Sequence, residues 1–231
     1  MDIEHRTPAR RAFLALLATT PWLSACSIPR NYRYRLTVEV EANGEVFRGA
    51  AVQEIRMARP PEFLAQLDAG SLAIRGEAPV IDFGDARLLI PTLVGVSSAG
   101  TADDPQWNGS PWSPPYSFLE SSTRTYDLDA IYLPLLVTFS DPGDPNTVET
   151  VNPTKLPRRF GAGARVRAVR LEKTRDPITR GEISRRLPWL ETIHSQGVRL
   201  DGSEAGSEFA KNKAASRLNA EAFTRSETSR R

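Results

Sequence analysis

Residues 32–41, YRYRLTVEVE, alternate without a break, and they limit the fold more than any other stretch. Tyr32, Tyr34, Leu36, Val38 and Val40 fall on one parity; Arg33, Arg35, Thr37, Glu39 and Glu41 fall on the other. Period two with β-branched and aromatic residues predicts a strand with one buried and one solvated face. Asn43-Gly44 follows, the favoured pair for a two-residue hairpin turn, because both positions need φ above zero. Residues 45–57 form the return strand, with Phe47, Gly49, Ala51, Ile55 and Met57 on one face and Val52 out of phase. A long antiparallel hairpin with an apolar face needs a second layer to cover it. The expected class is therefore mainly β.

The rest of the chain continues that pattern. Residues 60–70 are expected to form one short helix, and 72–78 alternate again. Residues 80–83 and 86–93 flank Gly84-Asp85, a second hairpin turn. Residues 97–125 are rich in Ser, Gly, Pro and Asp, with Trp107, Trp112, Tyr116 and Phe118 between them. They read as a long loop of the kind that carries function. The apolar run 130–139 reads as a core strand, with Pro134 near its start or at an edge. Asp141-Pro142-Gly143-Asp144-Pro145 is a turn, and 148–151 a short pairing strand. Residues 153–160 suggest a helical turn ended by Gly161 and Gly163. In 164–174 the apolar parity slips between Ala168 and Val169. A β-bulge there keeps Arg165, Arg167 and Arg170 on one face. Residues 183–187 read as a short helix. Beyond Gly197 apolar residues thin out, so 197–231 are expected to be a disordered tail.

The N-terminus carries a different message. Arg6, Arg10 and Arg11 precede a 14-residue apolar run, 12–25, broken by Thr19, Thr20 and Pro21. A helix of that length rises about 21 Å, short of a ~30 Å hydrocarbon core. It therefore reads as the apolar part of an export signal. Leu23-Ser24-Ala25-Cys26 closely resembles a bacterial lipobox, which implies cleavage before Cys26 and lipid on its sulfur and new amine. Arg10-Arg11-Ala12-Phe13-Leu14 also resembles the core of a twin-arginine signal, with Ala15 where lysine is expected. Residues 1–25 are then the signal, 26–31 a tether and 32–196 the β-rich domain. Ser27, rather than Asp, follows the cysteine. By resemblance to lipoprotein sorting, this implies the periplasmic face of the outer membrane.

The stretch 32–190 resembles an uncharacterised family of short proteobacterial lipoproteins. The resemblance rests on YRYRLTVEV at 32–40, the apolar strand into Asp141-Pro142 and Asp144-Pro145, VNP at 151–153, Phe160-Gly161, and RLPWL at 186–190. These are turns and core strands. The resemblance implies an envelope location and no particular activity.

Several chemistries are poorly supplied. Cys26 is the only cysteine, and lipidation consumes it. Of two histidines, His5 leaves with the signal and His194 remains, which reads as a surface residue. No cluster has the spacing of a zinc site, and no cofactor is expected. Gly161-Ala162-Gly163 precedes a strand, whereas a dinucleotide-binding turn opens a helix. Carboxylates remain: Asp127 and Asp129 before one strand, Asp141 and Asp144 after it. Trp107, Trp112 and Tyr116 could stack on sugar beside such a pair. The competing reading is turn chemistry. Calcium at Asp141, Asp144 and Asn146 lacks the EF-hand spacing.

Charge is distributed in blocks. Residues 155–186 hold eleven basic side chains against three acidic, whereas 82–149 hold ten acidic against two basic. One reading is a basic face, centred on Arg165, Arg167 and Arg170, for an anionic lipid, lipopolysaccharide or an acidic envelope protein. The other is that the two blocks pack and neutralise each other. Nucleic acid is set aside because the chain is exported. The expectation is a mainly β, small antiparallel sandwich or barrel-like domain with one or two short helices. It is held to the membrane by lipid on Cys26 and has a structural or binding role. The alternative is a carboxylate-based hydrolase acting on envelope glycan.

Overall fold

The computed structural model describes residues 30–58, 71–96, 107–204 and 213–226. The export signal, Cys26 and the helix expected at 60–70 lie outside the described residues.

The hairpin is as the alternation predicts. Strands β1 (Arg30–Ala42) and β2 (Glu45–Ala58) pair antiparallel from Arg30 opposite Met57 to Ala42 opposite Glu45. Asn43 and Gly44 turn with φ of 52° and 82°. Tyr34, Leu36, Val38 and Val40 are fully buried, while Arg33, Arg35, Glu39 and Glu41 lie on the outer face. Val52, out of phase on the outer side, is nonetheless buried, and the chain at residue 179 runs beside it along the edge of β2. Thr179 N donates to Val52 O, and Val52 N donates to the Thr179 hydroxyl.

Strands β3 (Ser71–Glu77), β4 (Ile81–Asp82), β5 (Leu88–Pro91), β6 (Val94–Val96) and β7 (Trp107–Pro111) follow. Then come helix α1 (Tyr116–Glu120), β8 (Thr125–Asp127), β9 (Leu136–Phe139) and β10 (Val148–Val151). Helix α2 (Pro157–Phe160), β11 (Arg165–Lys173), helices α3 (Glu182–Arg186) and α4 (Leu190–Gln196), and β12 (Thr224–Arg225) complete the order. One sheet runs β12-β3-β2-β1-β11-β8, a second β10-β9-β5-β4, and β6-β7 form a small third. All strand pairs are antiparallel. The chain is mainly β, and one continuous core joins the inner face of the large sheet to the second.

Strands β5 and β9 are buried at every position. A central strand covered on both faces loses the alternation that marks a half-buried one. At the hairpin tip, Phe83 stacks between Phe47 and Phe160, with centroids 4.7 and 4.4 Å away. The layers approach closely there, because a Cβ on Gly49 would lie 2.6 Å from Val80 O. The bulge expected in β11 is present. Glu39 faces Ala168 and Val40 faces Val166, leaving Arg167 as the extra residue.

Three expectations are corrected, and one element that was not foreseen is added. The 130–139 run is strand only from Leu136. Before it, the Asp129 carboxylate accepts from Ile131 N at 3.1 Å and starts a 3-10 turn over Ala130–Tyr132. The long loop is partly ordered into β7 and α1, its 97–106 part lying outside the described residues. Residues 190–196 form α4. The tail expected from 197 is docked where it is described. Leu200, Ala215, Leu218, Ala220, Ala222 and Phe223 are buried. Ala78 N donates to Phe223 O at 2.8 Å and Leu93 N to Ala222 O at 2.7 Å. Phe223 packs against Phe139 and Trp189 at centroid distances of 6.0 and 5.9 Å. Its few apolar residues suffice because the rest of the chain supplies the surface they cover. Residues 205–212 and 227–231 lie outside the described residues.

Candidate functional site

The three arginines foreseen as a basic stripe do share the outer face of the large sheet, and all are exposed. Acids on the neighbouring strands meet two of them. Arg165 pairs with Glu41 at 2.8 Å, opposite it in register, and Arg170 pairs with Asp127 at 3.0 Å, also opposite. Arg35 likewise contacts Glu172 and Asp176. The blocks of unlike charge meet at Asp127–Arg170, at Asp82–Arg186 (2.6 Å) and at Glu149–Arg159. The outer face is therefore a mosaic of cross-strand pairs rather than a continuous basic surface.

The aromatic and carboxylate candidates do not converge. Trp112 is buried beside Tyr34, and its Nε1 donates to Tyr132 O at 2.9 Å, which makes it a core residue. Tyr116 is exposed, and Trp107 contributes backbone to β7. The carboxylates of Asp129, Asp141 and Asp144 each accept a backbone N–H two residues on, at 3.1, 2.8 and 2.9 Å. They hold turns. Asn146 donates its side-chain amide to Asp144 in the same turn. Among the described residues, no three His, Cys, Asp or Glu side chains are grouped to share a metal ion.

A cleft lies elsewhere, at the β3–β12 edge, with a volume of about 660 Å³. Strand β3 contributes Arg75 and Glu77, the 178–181 segment contributes Arg180, α4 contributes Glu191 and His194, and β12 contributes Arg225. Glu77 builds the site. Its buried carboxylate accepts from the backbone N–H groups of Gly181, Glu182 and Ile183, the last two at 2.9 and 3.2 Å. Its own carbonyl accepts from the Gln53 amide at 2.9 Å. That clamp fixes the start of α3 against the large sheet and sets one wall of the cleft.

Arg75 reaches Glu54, whose nearly buried carboxylate also meets Arg33 and Arg56, at 3.0, 2.9 and 3.4 Å respectively. Burial alone would push the Glu54 carboxyl up. The Arg33 hydrogen bond and the charges of Arg75 and Arg33 outweigh it, so its pKa lies below the ordinary glutamate value. Arg225 is largely enclosed, with Nε donating to Glu221 O at 3.0 Å. Burial lowers its pKa from the usual arginine value, and the Glu221 charge opposes that. A partly desolvated guanidinium at the rim of a cleft interacts more strongly with an anion than a solvated one does.

Sequence reasoning does not find this cleft. Arg75 and Arg225 sit in stretches unlike the basic block, and His194 reads as a residue of a fading chain. Only Arg180 belongs to the block singled out by composition. No family model, curated protein or solved structure matches the chain. No described helix is long and apolar enough to cross a membrane.

Proposed function

We propose that the protein is a lipid-anchored cell-envelope protein with a binding role, taking anionic groups of an envelope partner into the cleft at the β3–β12 edge. One observation carries the binding role: Arg75, Arg180 and Arg225, from three separate segments, line a single open cleft, with Arg75 also engaging Glu54 and Arg225 also engaging Glu221. Glu77, the buried acid of that wall, already holds three N–H groups, so its charge is largely compensated. His194 and Ser184 add polar groups to the lining, while Glu191 sets a negative boundary that selects among anions. The anchor rests on the order of positive residues, short apolar run, small residues and Cys26 in the sequence.

Purified lipopolysaccharide and phosphatidylglycerol vesicles are the two probes. Binding should saturate, weaken as salt rises, and fall several-fold in Arg180→Gln. Titrations that are salt-independent, or identical in wild type and Arg180→Gln, would show that the cleft is not the site. Palmitate labelling should disappear in Cys26→Ser. Persistent labelling would remove the anchor.

A further inference from the structure

We propose that the outer edge of β10 is a docking site for an acidic, extended peptide, which adds a strand to the second sheet. β10 is the end strand of that sheet, and among the described residues no strand pairs with its outer edge. Hydrogen bonds alternate along an antiparallel ladder, so the register fixes which residues face outward. Ser140 N donates to Thr147 O at 3.3 Å on the β10 side of β9, and Thr92 N donates to Leu135 O at 2.9 Å on the β5 side. Thr138, opposite Glu149, therefore bonds toward β10, and Val137, opposite Thr150, bonds toward β5. Thr150 is left with its N–H and C=O turned to the outer edge.

That edge opens into a cleft of about 310 Å³, lined by Thr150 and Val151 of β10, by Asn152, and by Lys155, Arg158 and Arg159 from the turn and helix that follow. Glu149 is the only acid between residues 148 and 160, and it engages Arg159. Three cations against one acid leave a net positive cleft beside an outward-facing backbone. The cations stand on a fixed frame. The Asn152 side chain accepts from Thr154 N at 2.8 Å and starts the 3-10 turn Pro153–Lys155. The buried Phe160 ring, 4.4 Å from Phe83, holds α2 and with it the exposed Arg158.

Strand addition draws affinity from main-chain bonds and specificity from side-chain sites beside the edge. A residue opposite Thr150 can exchange two backbone bonds with it. Partner residues that run past Val151, the last residue of β10, reach the cleft that holds Lys155 and Arg158, where acidic side chains are complementary. Edges are also guarded against pairing, by charges or proline placed on the strand itself. Here the cations lie beyond the strand, and the one charge on β10, Glu149, is taken up by Arg159. A basic peptide is repelled, and a neutral one loses the charge complement. The cleft shares no residue with the one at the β3–β12 edge, so the two sites stand independently.

The probe is a dye-labelled peptide, Asp-Glu-Asp-Val-Thr-Val-Thr, titrated into the full-length protein. In an antiparallel register its acids fall beyond Val151. Binding should weaken as salt rises. It should fall several-fold when the acids are replaced by Asn and Gln, when the peptide backbone is N-methylated within Val-Thr-Val, and in Arg158→Gln. Thr150→Pro removes the outward N–H and no bond to β9, as proline is tolerated on an edge strand, and should bind as weakly as the N-methylated peptide with an unchanged melt. If that variant does not fold, the N-methylated peptide makes the same comparison. Absence of binding, or equal binding by wild type and Arg158→Gln and by both peptide backbones, overturns the proposal. Binding lost in Arg180→Gln but kept in Arg158→Gln also overturns it, by placing the peptide in the β3–β12 cleft. Sedimentation showing a dimer that Thr150→Pro dissolves overturns it as well, because a second copy of the chain then fills the edge.

Discussion

The Tyr34 hydroxyl donates to Oε1 of Gln53 at 2.7 Å, between residues directly opposite in the β1–β2 register, and both side chains are fully buried. The Gln53 amide passes the connection to Glu77 O, and the Glu77 carboxylate holds the start of α3. A buried polar chain thus runs from the centre of the hairpin to the wall of the cleft. Each member costs free energy when left unpaired.

Tyr34→Phe leaves the Gln53 carbonyl oxygen without this donor and should lower stability by about 1–3 kcal/mol. Burial pushes the Tyr34 phenol well above its ordinary value. Below pH of about 10 the phenol is neutral in both states and its contribution is complete. Above that, the unfolded chain loses the proton while the folded one keeps it. Stability then falls by about 1.4 kcal/mol per pH unit from this group. Urea unfolding at pH 9 and 11 should show a smaller loss in Tyr34→Phe than in wild type; equal losses would contradict the account.

Glu54 should show the opposite limb. Its folded pKa is lowered, so its stabilisation is present above the unfolded glutamate value of about 4.3 and is lost as acid drives pH through the folded value. Glu54→Gln should cost about 2 kcal/mol at neutral pH. That is less than the 3–5 of a fully buried pair, because Arg33, Arg56 and Arg75 keep side-chain exposures of 35%, 36% and 15%. The variant should also lose less stability than wild type between pH 5 and 3. Matched acid titrations of the urea midpoint decide it.

Phe223→Ala removes a fully buried ring from between Phe139 and Trp189 and should cost about 3–5 kcal/mol. Truncation after Gly197 should do more, since it uncovers both of those rings and strips β3 of its edge partner β12. Calorimetry of the truncated chain should lose the single cooperative transition. A melt within a few degrees of full length would mean that the segment is dispensable.

The triple variant Arg165→Gln, Arg167→Gln, Arg170→Gln should lower stability by only about 1 kcal/mol in total. Exposed pairs of this kind are worth some 0.2–1 kcal/mol each, and the partners Glu41 and Asp127 remain solvated at 29% and 76% side-chain exposure. Binding to lipopolysaccharide should persist, because the cleft lies beyond two further strands, at the opposite edge of the sheet. Loss of binding in this variant, with folding intact, would return the site to the outer face.

What the sequence by itself determined is whatever is encoded over a few neighbouring residues. The β1–β2 hairpin follows from strict alternation and an Asn-Gly turn, both local. So does the β11 bulge, because a parity slip in a strand leaves one residue extra whatever packs on it. The Asp-Pro turns and the Gly84-Asp85 turn belong with these. Tertiary structure decided everything that depends on a distant surface. Leu218 and Phe223 look too sparse to build a core, yet they cap one already made by Phe139 and Trp189. Trp112 sits in a polar, loop-like stretch, but a carbonyl twenty residues away satisfies its indole and allows burial. The basic block becomes a mosaic because its partners lie on strands 43 and 124 residues away. The cleft gathers Arg75, Arg180 and Arg225 from segments that meet only when β12 closes the sheet edge. Alternation and turns are readable one stretch at a time; a pocket wall exists only once separate stretches are held together.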